Sequence, residues 1–204
     1  MITAADPPLL FIHIPKTGGS TVVSVLEQVL PSTRTNKAAR HQTLSEALAG
    51  EPQLADRFVF GFVRNPWARM VSWWAMIQAA AKRAEDGNPM DIGHFRQLPV
   101  WRAVRAAADF ETYIAEVCPR VARLSRPQVD WLTAESRSAD FIGRTEQLES
   151  DLHHVFQRLG LPRTEVPTMN ATPHADYRTY YSPRTRDVVG EMFAADVEAF
   201  GYAF

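Results

Sequence analysis

The chain contains, at residues 9–21, the sequence LLFIHIPKTGGST, in which an apolar run is followed by a proline and a glycine pair. The run Leu9–Ile14 is short and rich in residues that favour strands, which predicts a buried parallel strand. Beyond the glycines, apolar residues recur at helical spacing as far as Pro31. The order is therefore strand, loop and helix, which is typical of an α/β protein.

A second unit of the same kind follows. Phe58–Val63 is an apolar run of strand length. Asn65 after it is suited to cap a helix, and Pro66 to occupy its first position. Strands that alternate with helices predict a central parallel sheet covered on both faces, with ligands bound at the carboxyl ends of the strands.

The remainder of the chain is less regular. Residues 84–99 are polar and contain two glycines and two prolines, so we expect a loop or a flexible lid over a site. Phe141 and Ile142 predict a short strand, and Thr145 is expected to cap a helix that ends at Gly160. A last helix is expected to begin near Ser182.

Composition limits the possible functions. A chain of 204 residues, 46% of them hydrophobic, predicts one domain over residues 1–204. Cys118 is the only cysteine, which excludes an intrachain disulfide and favours a reducing, cytoplasmic location. No apolar run approaches the roughly 18 residues of a membrane span, and we expect no signal peptide. A net charge of −1 argues against nucleic acid as a partner.

The loop at residues 15–21 has the features of a phosphate site. A loop that enters a helix directs several backbone N–H groups and the positive end of the helix dipole to one place. The glycines allow close approach of an anion, the lysine adds a positive charge and the hydroxyls add donors. An ordinary glycine-rich turn with a solvated lysine is the alternative. The expected binding residues are Pro15, Lys16, Thr17, Gly18, Gly19, Ser20 and Thr21.

Arg64, at the end of the second strand, is the candidate for a second phosphate. Ser72 follows eight positions later, in the second turn of the predicted helix, so the two side chains can converge. A guanidinium offers paired donors to phosphate oxygens. The alternative is a surface ion pair for Arg64 and no role for Ser72.

The arrangement differs from that of the usual nucleoside-triphosphate loop. Lys16 precedes the glycine pair, whereas the usual loop places its lysine after a glycine. Arg64 stands where a magnesium-dependent enzyme often has an aspartate. These cations favour transfer of an anionic group without a metal.

Together the two segments resemble the sulfotransferase superfamily, in its carbohydrate-type, membrane-associated branch and its soluble bacterial relatives. The loop matches the signature that holds the 5′-phosphosulfate of 3′-phosphoadenosine 5′-phosphosulfate (PAPS). Arg64-Asn65-Pro66 with Ser72 matches the signature that holds the 3′-phosphate. The further matches are RHQT at residues 40–43, FIGRTEQL at 141–148, Asn170 with His174, and FGY at 200–202.

The resemblance implies a P-loop-like, three-layer α/β/α fold with a central parallel sheet and additional C-terminal helices. It also implies transfer of a sulfuryl group from PAPS, without a metal, to a hydroxyl-bearing small molecule or saccharide. A P-loop kinase or other nucleotide-binding protein that uses ATP, and a catalytically inactive nucleotide-binding scaffold, are the alternatives. No feature favours one oligomeric state.

Two residues are the catalytic candidates. The resemblance assigns Lys16 to the leaving phosphate and the sulfuryl oxygens. It assigns His41, which lies between the two phosphate motifs, to the acceptor proton, because an imidazole titrates near neutrality. Thr43 and Glu46 predict a capping box just after His41, and Glu46 is a rival base. His13 is expected to pack against the loop and fix it.

One late segment offers two readings. His174 and Tyr177, with Asn170, lie in a stretch kept irregular by prolines. They can line an acceptor or adenine pocket, or their rings can close the core.

Overall fold

The computed structural model describes residues 1–36, 40–167 and 172–204. The chain divides into two compact units. We call residues Met1–Arg64 and Gln128–Ala171 the α/β unit, and residues Asn65–Pro127 and Thr172–Phe204 the helical unit. Asn170 lies outside the described residues.

The described strands are β1 (Ile2–Ala4), β2 (Leu9–Ile12), β3 (Arg34–Thr35), β4 (Phe58–Val63), β5 (Thr133–Ala134), β6 (Arg137–Ser138) and β7 (Phe141–Arg144). The described α-helices are α1 (Gly19–Val29), α2 (Leu44–Gly50), α3 (Pro66–Glu85), α4 (Pro89–Gln97), α5 (Pro99–Arg105), α6 (Phe110–Thr112), α7 (Ala122–Ser125), α8 (Val129–Leu132), α9 (Leu148–Arg158), α10 (Pro183–Met192) and α11 (Ala194–Phe200).

The α/β unit is built on a five-stranded sheet with the order β3-β1-β2-β4-β7. β2, β4 and β7 run parallel, while β1 and β3 pair antiparallel at one edge. The two strands that the sequence identified as site-bearing, β2 and β4, are direct neighbours, with Ile12 opposite Gly61. The prediction of an α/β fold with a central, mostly parallel sheet is confirmed.

Side chains alternate between the two faces of this sheet, as they must along a strand. Phe60 and Phe62 of β4 enter a buried cluster with Phe11 and with apolar residues of α1 and α9. Gly61 points the other way, where a Cβ atom would lie 2.4 Å from the side chain of Leu132 in α8. Helices therefore cover both faces, which buries the strands and leaves their ends for the loops.

The helical unit has a separate core along α3. Met70, Val71 and Ile77 are fully buried and pack with α5, α10 and the irregular helix that follows Asp109. Asn65 caps α3 as predicted, since its side chain accepts from the backbone N–H groups of Trp67 and Ala68. Among the described residues, no helix combines the length and apolar composition needed to cross a membrane.

The prediction of a loop at residues 84–99 is wrong. α3 continues to Glu85, and α4 fills residues 89–97. Gly87, with a φ of 87°, ends α3, and the side chain of Asn88 caps α4 with Pro89 at its first position. The glycine and the prolines here mark helix ends, which is the other common use of these residues.

The prediction that Thr145 caps the helix now labelled α9 is also wrong. The Thr145 hydroxyl donates to the carbonyl of Val63, at 3.0 Å, so it joins β7 to the end of β4. α9 begins after Gln147 without a side-chain cap and is followed by Gly160 with a φ of 67°, as expected of its end. The single predicted last helix consists of two, α10 and α11, and Ser182 caps the first with a capping box.

Candidate functional site

The ends of β2 and β4 bring the two predicted anion-binding segments together. Nη1 of Arg64 donates to the backbone carbonyl of Lys16, at 3.3 Å. Both residues are half-buried and belong to the α/β unit. The structure therefore places two cations, from sequence positions 48 residues apart, at one edge of the sheet.

The loop has an unusual backbone. Lys16 has a φ of 72°, in a region that side chains other than glycine rarely adopt, and Gly18 has a φ of 76°. Gly18 is the N-cap of α1 and provides no side-chain cap; its carbonyl accepts from the N–H of Thr21, at 3.0 Å, but no cap side chain serves the N–H groups of Gly19 and Ser20. Strain held at a helix N-terminus is a recurring property of anion-binding loops.

The hydroxyl groups of the loop have different partners. Thr17 is fully buried and its hydroxyl donates to the carbonyl of Ile14, at 2.9 Å, so this side chain stabilises the turn. Thr21 is also buried, on the first turn of α1. The Ser20 hydroxyl is half-buried and accepts a hydrogen bond from Nη2 of Arg40, at 2.9 Å.

Lys16 is electrostatically strained. Burial lowers the pKa of its ammonium group, the nearby positive charge of Arg64 acts in the same direction, and together they bring the pKa to about 8. A bound anion would offset both effects, because it supplies negative charge to two cations that repel each other. A partly buried cation whose pKa is lowered by a neighbouring cation is a candidate for an anion site.

Gln128 is a site residue that the sequence did not reveal. Its fully buried amide accepts from the backbone N–H of Arg64 at 2.9 Å and donates to the carbonyl of Arg64 at 2.8 Å. Both backbone groups of Arg64 are thus satisfied by one side chain, which fixes the direction in which the guanidinium leaves β4. No local sequence pattern predicts this role, because Gln128 lies 64 positions from Arg64 in the chain.

His41 lies beside the start of the loop. Its Nδ1 is 2.9 Å from the carbonyl oxygen of His13, and the two imidazole rings are 4.5 Å apart. The capping box predicted at Thr43 is present, because Thr43 accepts from the backbone N–H of Glu46 and the Glu46 carboxylate accepts from that of Thr43. The Glu46 carboxylate is therefore engaged in the capping box, whereas His41 lies beside the end of β2.

His13 packs against the loop, as expected. It is 4% exposed, and a Cβ atom on Gly19 would lie 2.1 Å from its ring. Gly19 is therefore required by the ring of His13, whereas Gly18 is favoured by its backbone conformation.

The remaining candidates lie in the helical unit. Ser72 is buried in the second turn of α3. His174 is exposed, and its Nδ1 contacts the carbonyl of Ala175 at 2.8 Å. Tyr177 packs against Phe204, with ring centres 5.7 Å apart, which supports the structural reading of this aromatic group. Within the described ranges, no three His, Cys, Asp or Glu residues form a group that could hold a metal ion.

Comparisons with known proteins agree with this geometry. The chain matches the model of the sulfotransferase family over residues 1–203, which includes both predicted anion-binding segments. Searches of curated proteins and of solved structures return no significant match. The family match, together with two cations at the ends of neighbouring parallel strands, leads to one conclusion: the chain belongs to the sulfotransferase family.

Proposed function

We propose that this protein transfers a sulfuryl group from PAPS to the hydroxyl group of an acceptor, in the first place a carbohydrate. The observation that carries the proposal is the contact between Arg64 and Lys16, which joins the two motifs that resemble the 3′-phosphate and 5′-phosphosulfate signatures. PAPS would supply the activated sulfuryl group. The residues present fit it, since an uncapped helix N-terminus and two mutually repelling cations lie together.

Each loop residue then has a distinct task. The backbone N–H groups at Gly18, Gly19 and Ser20 bind the 5′-phosphate, and the Lys16 ammonium balances the charge that develops on the leaving oxygen. Pro15 and Thr17 hold the turn, the latter through its bond to Ile14.

Residues that follow β4 bind the second phosphate, the 3′-phosphate, in this proposal. The Arg64 guanidinium, directed by Gln128, binds the 3′-phosphate. On the resemblance alone, Ser72 is proposed as a further ligand of the 3′-phosphate and Thr21 as a further ligand of the 5′-phosphate. No step of this proposal assigns a task to a metal ion.

His41 accepts the acceptor proton in this proposal. Its Nδ1 faces the His13 carbonyl, which can only accept, so Nδ1 carries a hydrogen and Nε2 is the basic nitrogen. An attacking hydroxyl group would lose its proton to Nε2 as its oxygen bonds to sulfur. A cytoplasmic location is part of the proposal and is supported by the single, buried Cys118.

Ligand-induced stabilisation tests the donor. We expect 3′,5′-diphosphoadenosine to raise the melting temperature, because a ligand that binds only the folded state stabilises it. ATP with magnesium should raise it much less. The opposite ranking would favour a P-loop kinase and remove PAPS from the proposal.

Transfer of labelled sulfate tests the reaction. Wild-type protein should label at least one member of a panel of saccharide, lipid and phenolic acceptors. His41→Ala should lower turnover by roughly 10²- to 10⁴-fold and leave diphosphate binding intact. If turnover is unchanged in His41→Ala, another group accepts the proton; if no acceptor is labelled although the diphosphate binds, the inactive scaffold is favoured.

A further inference from the structure

Arg40 connects three parts of the α/β unit. Its Nε donates to Nδ1 of His13, at 3.3 Å, and its Nη2 donates to the hydroxyl oxygen of Ser20, at 2.9 Å. The next residue, His41, is bonded through Nδ1 to the carbonyl of His13, at 2.9 Å. Two consecutive residues thus hold one turn to both the end of β2 and the loop before α1.

We propose that Arg40 is a positioning residue that sets the protonation geometry of the site by joining the turn of His41 to the loop that binds the donor. The inference rests on the proposed function for its consequences in catalysis. Its structural part, the hydrogen positions on Ser20 and His13, stands on the contacts of Arg40 alone.

The first consequence concerns Ser20. A guanidinium group donates and never accepts, so the Ser20 oxygen uses a lone pair in its bond to Arg40. The hydroxyl hydrogen must then point to a different acceptor. Since Ser20 is on the first turn of α1, where the helix N-terminus faces the loop, Arg40 makes its hydroxyl group a donor for an anion bound there.

The second consequence concerns His13. Its Nδ1 accepts from Arg40, so this nitrogen carries no hydrogen and the proton of the neutral ring is on Nε2. A Cβ atom on Gly19 would lie 2.2 Å from that Nε2, so the protonated side of the ring lies against the loop backbone. Arg40 therefore fixes which edge of a buried imidazole carries the hydrogen next to the loop.

The third consequence concerns His41. The same residue, His13, offers its ring to Arg40 and its carbonyl group to His41. The bond to the carbonyl places a hydrogen on Nδ1 of His41, and the capping box at Thr43 fixes the chain on the other side. If Arg40 is lost, the turn keeps the cap and the bond of His41 to the His13 carbonyl but loses its bonds to the His13 ring and to Ser20, so the distance from His41 to the donor is held less firmly.

The first test reads the hydrogen positions and requires no acceptor. In ¹⁵N spectra of the wild-type protein at a pH where His13 is neutral, its Nδ1 should give an unprotonated signal and its Nε2 a protonated one. Arg40→Ala should give a mixture of tautomers and bind 3′,5′-diphosphoadenosine about three- to tenfold more weakly, because the Ser20 hydroxyl is no longer oriented. Arg163→Ala, at an exposed position of the same unit, should change neither.

Chemical rescue separates positioning from loss of structure. Methylguanidinium should restore binding and the wild-type tautomer in Arg40→Ala, since it can donate to both partners. Arg40→Lys should fail to restore them, because one ammonium nitrogen replaces two separate donors. A tautomer and an affinity that are unchanged in Arg40→Ala would overturn the inference.

The last test of the role of Arg40 measures the rate of sulfuryl transfer. With an acceptor that the wild-type protein sulfates, Arg40→Ala should lower kcat by roughly 10²-fold, with a smaller change in the KM for PAPS, because misplacement of a reacting group is felt mainly in the chemical step. An unchanged kcat contradicts the positioning role. Failure of the wild-type protein to bind the diphosphate contradicts instead the proposed function, and the tautomer spectra still decide whether Arg40 orders His13.

Discussion

Lys16, half-buried in the α/β unit, and Arg69, fully buried in the helical unit, are both cations with a lowered pKa, but their neighbours differ in sign. The pKa of Lys16 is about 8 and that of Arg69 about 10, and burial is the largest cause in each case. For Lys16 a second cation, Arg64, acts in the same direction as burial. For Arg69 the carboxylate of Asp196 opposes the effect of burial.

This difference distinguishes the proposed binding site from a buried cation whose charged neighbour is a carboxylate. Arg69 and Asp196 are both fully buried, and Arg69 also lies over the ring of Phe193, at 5.6 Å. The positive charge of Arg69 is thus opposed by a carboxylate within the fold, whereas Lys16 and Arg64 repel each other. A lowered pKa alone does not identify a functional cation; the sign of the neighbouring charge does.

The largest expected effect is the loss of Asp196. Asp196→Ala leaves the Arg69 guanidinium in the core without its carboxylate, which should lower the free energy of unfolding by about 3–5 kcal/mol, measured by urea denaturation. Asp187→Ala is the matched control, because its pair with Arg186 is exposed and should contribute at most about 1 kcal/mol. Replacing both partners, Arg69→Met with Asp196→Leu, should recover most of the loss. Equal costs for the two alanine variants would break the comparison.

Loss of Arg64 is the next largest effect and acts on binding. Arg64→Ala should weaken the binding of 3′,5′-diphosphoadenosine by about 1.5–3 kcal/mol, the range for a hydrogen bond to a charged group, measured by calorimetric titration. Arg34→Ala, at an exposed position on β3, is the control for a general change in charge. Equal affinity in wild type and Arg64→Ala would show that the second motif does not contact the nucleotide.

The pKa of Lys16 predicts a pH dependence. Below pH 8 the ammonium group is already protonated in the protein without ligand, so the diphosphate binds without proton uptake. Above pH 8 binding must be accompanied by uptake of one proton, and the affinity should fall by up to about tenfold per pH unit. Calorimetry in buffers of different ionisation enthalpy measures this uptake directly.

Two variants sharpen this result. Lys16→Arg should show no such fall, because arginine stays protonated throughout this range. Arg64→Ala should move the onset to higher pH, since Arg64 contributes to the low pKa of Lys16. A wild-type profile that is flat between pH 7 and 9 would show that Lys16 carries no part of the affinity.

The parallel strands, and the position of the two motifs at the strand ends, could be predicted from the sequence because their signals are local; that the motifs bind anions stays a prediction. An apolar run, a glycine pair and an Asn-Pro step each act within a few residues, and β2, β4, α1 and the start of α3 follow these patterns. Gln128 and Arg40 could not be predicted, since their contacts with Arg64, His13 and Ser20 arise only when distant segments meet. The two antiparallel edge strands, β1 and β3, are too short to give a pattern.

The error at residues 84–99 has a related cause. Glycine and proline carry the same local preference whether they lie in a loop or at a helix end. In the structure α4 is joined to its neighbours by the pair of Arg83 with Asp91, at 2.8 Å, and by the packing of Phe95 on Trp101. Neither contact can be predicted from the positions of glycine and proline in the sequence.

The smallest expected effect compares two glycines of positive φ, one in each unit. Gly18 and Gly87 have φ values of 76° and 87°, so the backbone conformation should cost an alanine at either position about 1 kcal/mol of unfolding free energy. A Cβ at Gly18 would also lie 3.0 Å from Leu148, whereas Gly87 meets open space. Only Gly18→Ala should also weaken diphosphate binding, because Gly18 is the N-cap of the helix that is proposed to face the anion. Urea denaturation and calorimetric titration of both variants measure the two quantities. If the two variants bind the diphosphate equally well, the conformation of Gly18 serves the fold alone, and the loop loses its distinction from an ordinary helix end.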